Sequence, residues 1–206
     1  MTTGLNVRTQ PVFVGITGHR FLAEVDKLTA GIDEALDAIE SVFPGRSITA
    51  VTSLAEGADQ LAAERILARK DAGLAVILPF PQSQVLEEFP DPRSRTGFGL
   101  LLDRAQEVLE IPVHAKRNDA YEAAGQEILK RIDVLLAIWD GRAAQGRGGS
   151  GAVVHRARSR GLPIAWVHAG NRKPGTNEPT TLADEQGQVT FEGLPARPAY
   201  PEGETR

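Results

Sequence analysis

The chain of 206 residues contains no cysteine, which removes disulfides, thiolate nucleophiles and zinc–thiolate sites together. It has no run of about 18 apolar residues, the length a bilayer-spanning helix needs. Residues 1–10 show no charged-then-apolar leader, so a cytoplasmic protein with no membrane partner is expected. Aromatic residues make up 5% of the chain and the formal charge is −4. No basic, aromatic-lined groove is evident, so nucleic acid is not expected as the partner, and nothing draws the chain to an acidic membrane. The four histidines are scattered, with no His-x-x-x-His pair, so no metal site is expected. The patterns G-x-x-x-x-G-K-[ST], G-x-S-x-G and H-E-x-x-H are also absent, which argues against P-loop nucleotide hydrolysis, nucleophile-elbow hydrolases and HExxH metalloproteases.

What is present is an apolar content of 41%, enough for one full core. Residues 11–169 read as one domain, preceded by an extension over 1–10 and followed by a Pro/Gly-rich tail over 170–206. Gln188 to Glu192 in the tail read as one strand of a small hairpin, with the rest exposed. Short apolar runs predict strands near 11–16, 47–53, 74–78, 110–114, 132–139 and 163–168. Helical spacing links Leu28, Ile32, Leu36, Ile39 and Phe43, then Ala58, Leu61, Ala62 and Ile66 to about Lys70. It recurs through Phe98, Leu101, Leu102, Ala105, Val108 and Leu109, through Tyr121, Ala124, Ile128 and Leu129, and over 151–160. Residues 81–95 have three prolines and no period, and read as a loop that is a candidate lid. Alternating strands and helices imply a single doubly wound, mostly parallel α/β sheet, since parallel neighbours require crossover helices.

Ligands of such sheets bind outside the carboxyl ends of the strands. Three turns fall there: Thr17-Gly18-His19-Arg20, Ser53 to Asp59, and Asp140-Gly141 leading to Gly146-Arg147-Gly148-Gly149-Ser150-Gly151. The glycines allow close backbone approach, and a helix starting near Ser150 turns its positive dipole end to the same place, an arrangement suited to phosphate. Arg20 is a second phosphate partner, because a guanidinium grips two oxygens at once, or a solvated arginine. His19 either stacks on a base or fills its turn. Glu56 and Asp59 are placed to accept from ribose hydroxyls, while Asp59 has the alternatives of pairing with Arg20 or capping its helix. Asp140 is a ribose or water acceptor, or an Asx residue that holds the loop.

These motifs together, with Leu78-Pro79-Phe80 and Ala137-Ile138-Trp139-Asp140-Gly141, resemble the SLOG superfamily of Rossmann-like proteins over about residues 11 to 168. That group includes the LOG phosphoribohydrolases, YpsA-like proteins and the DprA core. The resemblance implies a nucleotide or nucleotide-derived ligand, either a nucleoside monophosphate or an ADP-ribose- or NAD-related molecule, sensed in bacterial stress or defence signalling. The alternatives are N-glycosidic hydrolysis of the LOG kind and, more weakly, DprA-like binding of single-stranded DNA. It also implies that Gly57, Gly148, Gly149, Ser150 and Gly151 serve the ligand, with Arg147 closing over the phosphate. The LOG motif reads Gly-Gly-x-Gly-Thr-x-x-Glu. Gly148, Gly149 and Gly151 match it, but Ala152 stands at the threonine position and His155 at the glutamate. The carboxylate that would stabilise a developing sugar cation is therefore missing there, and binding without hydrolysis is expected; Glu56 and Asp59 remain as substitute catalytic carboxylates. Self-association is implied by the resemblance alone. Sedimentation at micromolar concentration is expected to show a species larger than the monomer, and a monomer throughout would remove that expectation.

Overall fold

The computed structural model describes residues 10–89, 91–112, 116–143 and 149–194. Among them seven strands form one sheet: β1 (Val12–Gly18), β2 (Ile48–Thr52), β3 (Gly73–Leu78), β4 (Glu107–Glu110), β5 (Val134–Trp139), β6 (Ile164–His168) and β7 (Val189–Glu192). Their order across the sheet is β4-β3-β2-β1-β5-β6-β7. All neighbours are parallel except β6 and β7. The helices are α1 (Val25–Val42), α2 (Ala58–Leu67), α3 (Gln82–Leu86), α4 (Pro92–Leu102), α5 (Arg117–Arg131) and α6 (Ser150–Ser159). The fold is a doubly wound, Rossmann-like α/β sheet.

The chain moves outward from β1 through β2 and β3 to β4, then crosses back to β5 and continues the other way. Right-handed crossovers in opposite directions place their helices on opposite faces. One core accordingly joins Leu28, Ile32 and Leu36 of α1, Ala62 and Ile66 of α2, and Phe98 of α4 to Val14, Ile16 and Val76 of the sheet. A second joins Ala124, Ile128 and Leu129 of α5 and Val153 and Val154 of α6 to Val51, Ile77, Leu135 and Ala137. The central strands are covered on both sides, which is why every residue of β2, β3 and β5 is buried and why these read as unbroken apolar runs.

Three expectations are corrected. Residues 81–95 are not a loop: α3 and the start of α4 lie within them, and Val85 and Phe89 are buried. Asp91 accepts from the Arg93 N–H at 2.8 Å, with Pro92 next to it at the first helical position, where its missing N–H costs nothing. The fourth strand is Glu107–Glu110 rather than 110–114, so Val108 and Leu109 belong to it and α4 ends at Leu102; residues 113–115 lie outside the described residues. Val189–Glu192 is a strand of the main sheet, antiparallel to β6. The segment before it is also tied down, with bridges Leu22–Asn171 and Arg172–Pro179.

Phe89 is 1% exposed, and its ring lies 5.3 Å from that of Phe98. Phe89→Ala is therefore expected to lower the unfolding free energy by about 3–5 kcal/mol in urea denaturation. A loss below about 0.5 kcal/mol would mean that the segment does not pack.

Candidate functional site

The carboxyl end of β1 is locked to its neighbours by backbone. The Ala58 N–H donates to the His19 carbonyl at 3.0 Å, and the His19 N–H donates to the Ile138 carbonyl at 3.0 Å. A Cβ on Gly18 would lie 2.4 Å from the Ala58 Cβ, and one on Gly57, whose φ is 86°, would lie 2.2 Å from the Arg20 carbonyl oxygen. Both positions exclude a side chain, and Gly57 also needs the left-handed region. Leu54, buried, sits at φ 53° without that freedom. Its N–H is held by the Thr52 hydroxyl at 3.0 Å, so the neighbouring structure sustains a conformation that a leucine rarely adopts.

The His19 side chain reaches along the same edge into the loop after β5. Its Nε2 accepts from the Asp140 N–H at 3.1 Å, and its Nδ1 faces the Asn171 side-chain amide at 3.2 Å. Burial pushes the imidazole below its ordinary range, against the raising effect of Asp140, consistent with a neutral ring that accepts at Nε2. Asp140 Oδ1 accepts from the Arg142 N–H at 3.1 Å, the Asx arrangement.

Between these turns and the first turns of α5 and α6 lies a cleft of about 480 Å³, within the range of small-molecule sites. It sits over the end of β1, flanked by β2 and β5, where the strand order reverses. Asp59 is in its floor. The Thr52 hydroxyl donates to Asp59 Oδ2 at 2.8 Å and the Ala55 N–H at 3.4 Å. Burial raises this carboxyl to about 6, against the lowering effects of Thr52, Ala55, Ser53 and Arg20. On one wall Gly149 and Ser150 open α6, and the Ser150 hydroxyl donates to the Gly18 carbonyl at 2.8 Å. On the other, Glu88 meets Arg20 at 3.3 Å, pairs with Arg117 and accepts from the Tyr121 hydroxyl. Arg117 also lies over the Phe80 ring, 4.6 Å from its centre.

Of the residues singled out from sequence, Thr17, Gly18, Arg20, Ser53, Asp59, Gly149 and Ser150 line the cleft. His19, Glu56, Gly57, Asp140, Gly141 and Gly151 are not among its lining. Glu56 accepts from the Ser94 hydroxyl at 2.6 Å, tying the second turn to α4. Gly141 packs against the Trp166 ring. Arg147 and Gly148, with Gly146, lie outside the described residues. The residues missed are Glu88, Arg117, Asn118 and Tyr121. For Arg117, Asn118 and Tyr121 the available signal is topological: a helix that returns from an outer strand to the centre begins at the carboxyl edge, so its first turns face the ligand side. Among the described residues no group of three or more His, Asp and Glu is placed to hold a metal ion, and no helix is long and apolar enough to cross a membrane.

Sheet topology and cleft together define the class, a Rossmann-like α/β protein with a ligand-sized opening at its switch point. No family model matches the chain, and no curated protein does. Among solved structures it is similar to the X-ray structure of TM1055, a target of the Northeast Structural Genomics Consortium. The two are 15% identical with a TM-score of 0.42, over 74% of this chain and 72% of that one.

A carboxyl whose folded pKa lies above its unfolded value binds more protons in the folded state, so its contribution to stability falls as pH rises between the two values. For Asp59 that window runs from 3.8 to about 6, worth about 3 kcal/mol. Compared by urea denaturation, Asp59→Asn is expected to gain on the wild type by about that amount between pH 4 and pH 8. Parallel pH profiles would show that Asp59 titrates normally.

Proposed function

We propose that the cleft binds a nucleotide or nucleotide-derived ligand, and that the chain is a SLOG-type binding or sensing domain rather than a hydrolase. The observation that carries this reading is the cleft's position at the switch point, with the start of α6 on one wall and two arginines on the other. The first N–H groups of a helix have no partner within it and carry the positive end of its dipole. A phosphate set against Gly149 and Ser150 accepts from them, and Arg20 and Arg117 offer charged forks on the opposite wall. Thr17, Ser53 and Asp59 offer further polar atoms to the ligand along the cleft between the two walls. Ligands of the AMP, ADP and ADP-ribose kind fit this distribution, and a role in bacterial stress or defence signalling follows from the resemblance alone.

His155, which stands at the LOG glutamate position, is exposed on α6 and does not line the cleft. That favours binding over glycosidic cleavage. The hydrolytic reading rests instead on Asp59, a protonatable carboxyl in the cleft floor with the acidity of a general acid near neutral pH. Free base released from AMP or NAD-type nucleotides over hours separates the two. No turnover is expected, and multiple turnovers abolished by Asp59→Asn would establish the enzyme.

Gly149→Asp tests the phosphate wall. Gly149 caps α6 in extended backbone, and a Cβ there meets nothing within 4 Å. Aspartate is also a favourable cap residue, so the fold should hold or gain stability. A negative charge at the phosphate position should nevertheless weaken AMP binding by about tenfold or more. Calorimetry that shows unchanged affinity would remove the phosphate from this wall.

A further inference from the structure

Glu88 and its partners do more than line the cleft. The Glu88 side chain is 14% exposed and is met by groups from two separate elements. Arg20 follows β1; Arg117 and Tyr121 belong to the first turns of α5. Arg20 reaches Glu88 through Nη2, and Arg117 comes nearest it through its own Nη2; with five N–H donors on each guanidinium, the pair can serve a second acceptor. The two guanidinium groups outweigh one carboxylate, so this wall keeps a net positive charge. Arg117 is also held in place by the face of Phe80, a favourable seat for a cation. An arginine fork suits a carboxylate and a phosphate equally well.

We propose that Glu88 is a resident competitor for an acidic group of the ligand: it occupies a two-arginine clamp and yields that clamp to a second acidic group of the ligand. The proposal rests on the nucleotide reading and narrows it to ligands with an acidic group beyond the one set against α6. Glu88 moves by swinging its side chain. Its N–H is bound to the Val85 carbonyl at 3.0 Å, and the next residue, Phe89, is anchored in the core, so the segment itself stays in place. The apparent affinity of a ligand is reduced by the fraction of time its subsite is free. A clamp free about one-tenth of the time therefore weakens the second contact about tenfold.

The test is calorimetric titration of AMP and of ADP into the wild type, Glu88→Gln, Arg117→Ala and the double variant, with a thermal midpoint for each to establish folding. Glutamine keeps the length and the acceptor for Tyr121 but removes the charge. Glu88→Gln is expected to bind ADP about tenfold more tightly while AMP changes by less than about twofold, and adding Arg117→Ala is expected to erase the gain. ADP affinity that is unchanged or lowered in Glu88→Gln, or raised no more than that of AMP, overturns the proposal. If the wild type binds AMP and loses it in Gly149→Asp while Glu88→Gln leaves ADP unchanged, only the competitor role falls. If neither the wild type nor Glu88→Gln binds either nucleotide, the nucleotide reading falls with it.

Discussion

The site depends on two stretches of backbone that approach each other with no side chain between them. Gly18 at the end of β1 and Gly57 before α2 bring the first two turns into direct hydrogen-bonded contact, from the Ala58 N–H to the His19 carbonyl. This contact fixes where Arg20 leaves the chain and aims the first turn of α2, with Asp59, at the sheet edge. The left-handed Leu54 and the buried Thr52–Asp59 hydrogen bond sit in the same turn. Conformational strain and a desolvated carboxyl both weigh against folding. They persist because helices and strands on every side leave the turn no alternative.

The cleft is electrically composed rather than simply positive. Its cationic groups are Arg20, Arg117 and the start of α6; its acidic groups are Asp59, partly neutralised by burial, and Glu88, which both arginines face. Such a composition discriminates between ligands by the number and spacing of their charges. A uniformly basic cleft would take any anion, and the overall acidic balance of the chain would do little to prevent it.

Much of the sheet could be read from sequence because its inner strands are covered on both faces. Leu74 to Leu78 and Val134 to Trp139 are unbroken apolar runs that no surface element would carry. Exposure hid β4: Val108 and Leu109 lie on an edge strand with glutamates either side, and their spacing also fits the helical stripe of Phe98 and Leu101. The short α3 is a helix by packing of Val85 more than by pattern. The start of α4 is legible in the Asp91-Pro92 pair, a capping signal set among prolines that otherwise favour a loop. The first-turn residues Thr17, Gly18 and Arg20 were legible because glycine after a buried strand marks a turn at the ligand edge. The clamp was not. Glu88 meets Arg20 across 68 residues, and no local pattern distinguishes a carboxylate that finds such partners from one facing water.

The placement of Glu107 and Glu110 on β4 also bears on how copies of this protein can meet. β4 is an outer strand, and an outer strand has unpaired backbone groups that invite a matching strand from another molecule. If two copies joined there in an antiparallel register centred on Glu107 or on Glu110, that glutamate would stand opposite its own counterpart, and like charges directly opposed across a ladder repel. Glu107 is already engaged by Arg131, and Glu110 accepts from the Gln82 N–H, so neither is free to fold back and clear the edge without giving up a partner. Pairing in those registers is thus disfavoured at this strand, and the two glutamates act against edge-to-edge growth of the sheet there.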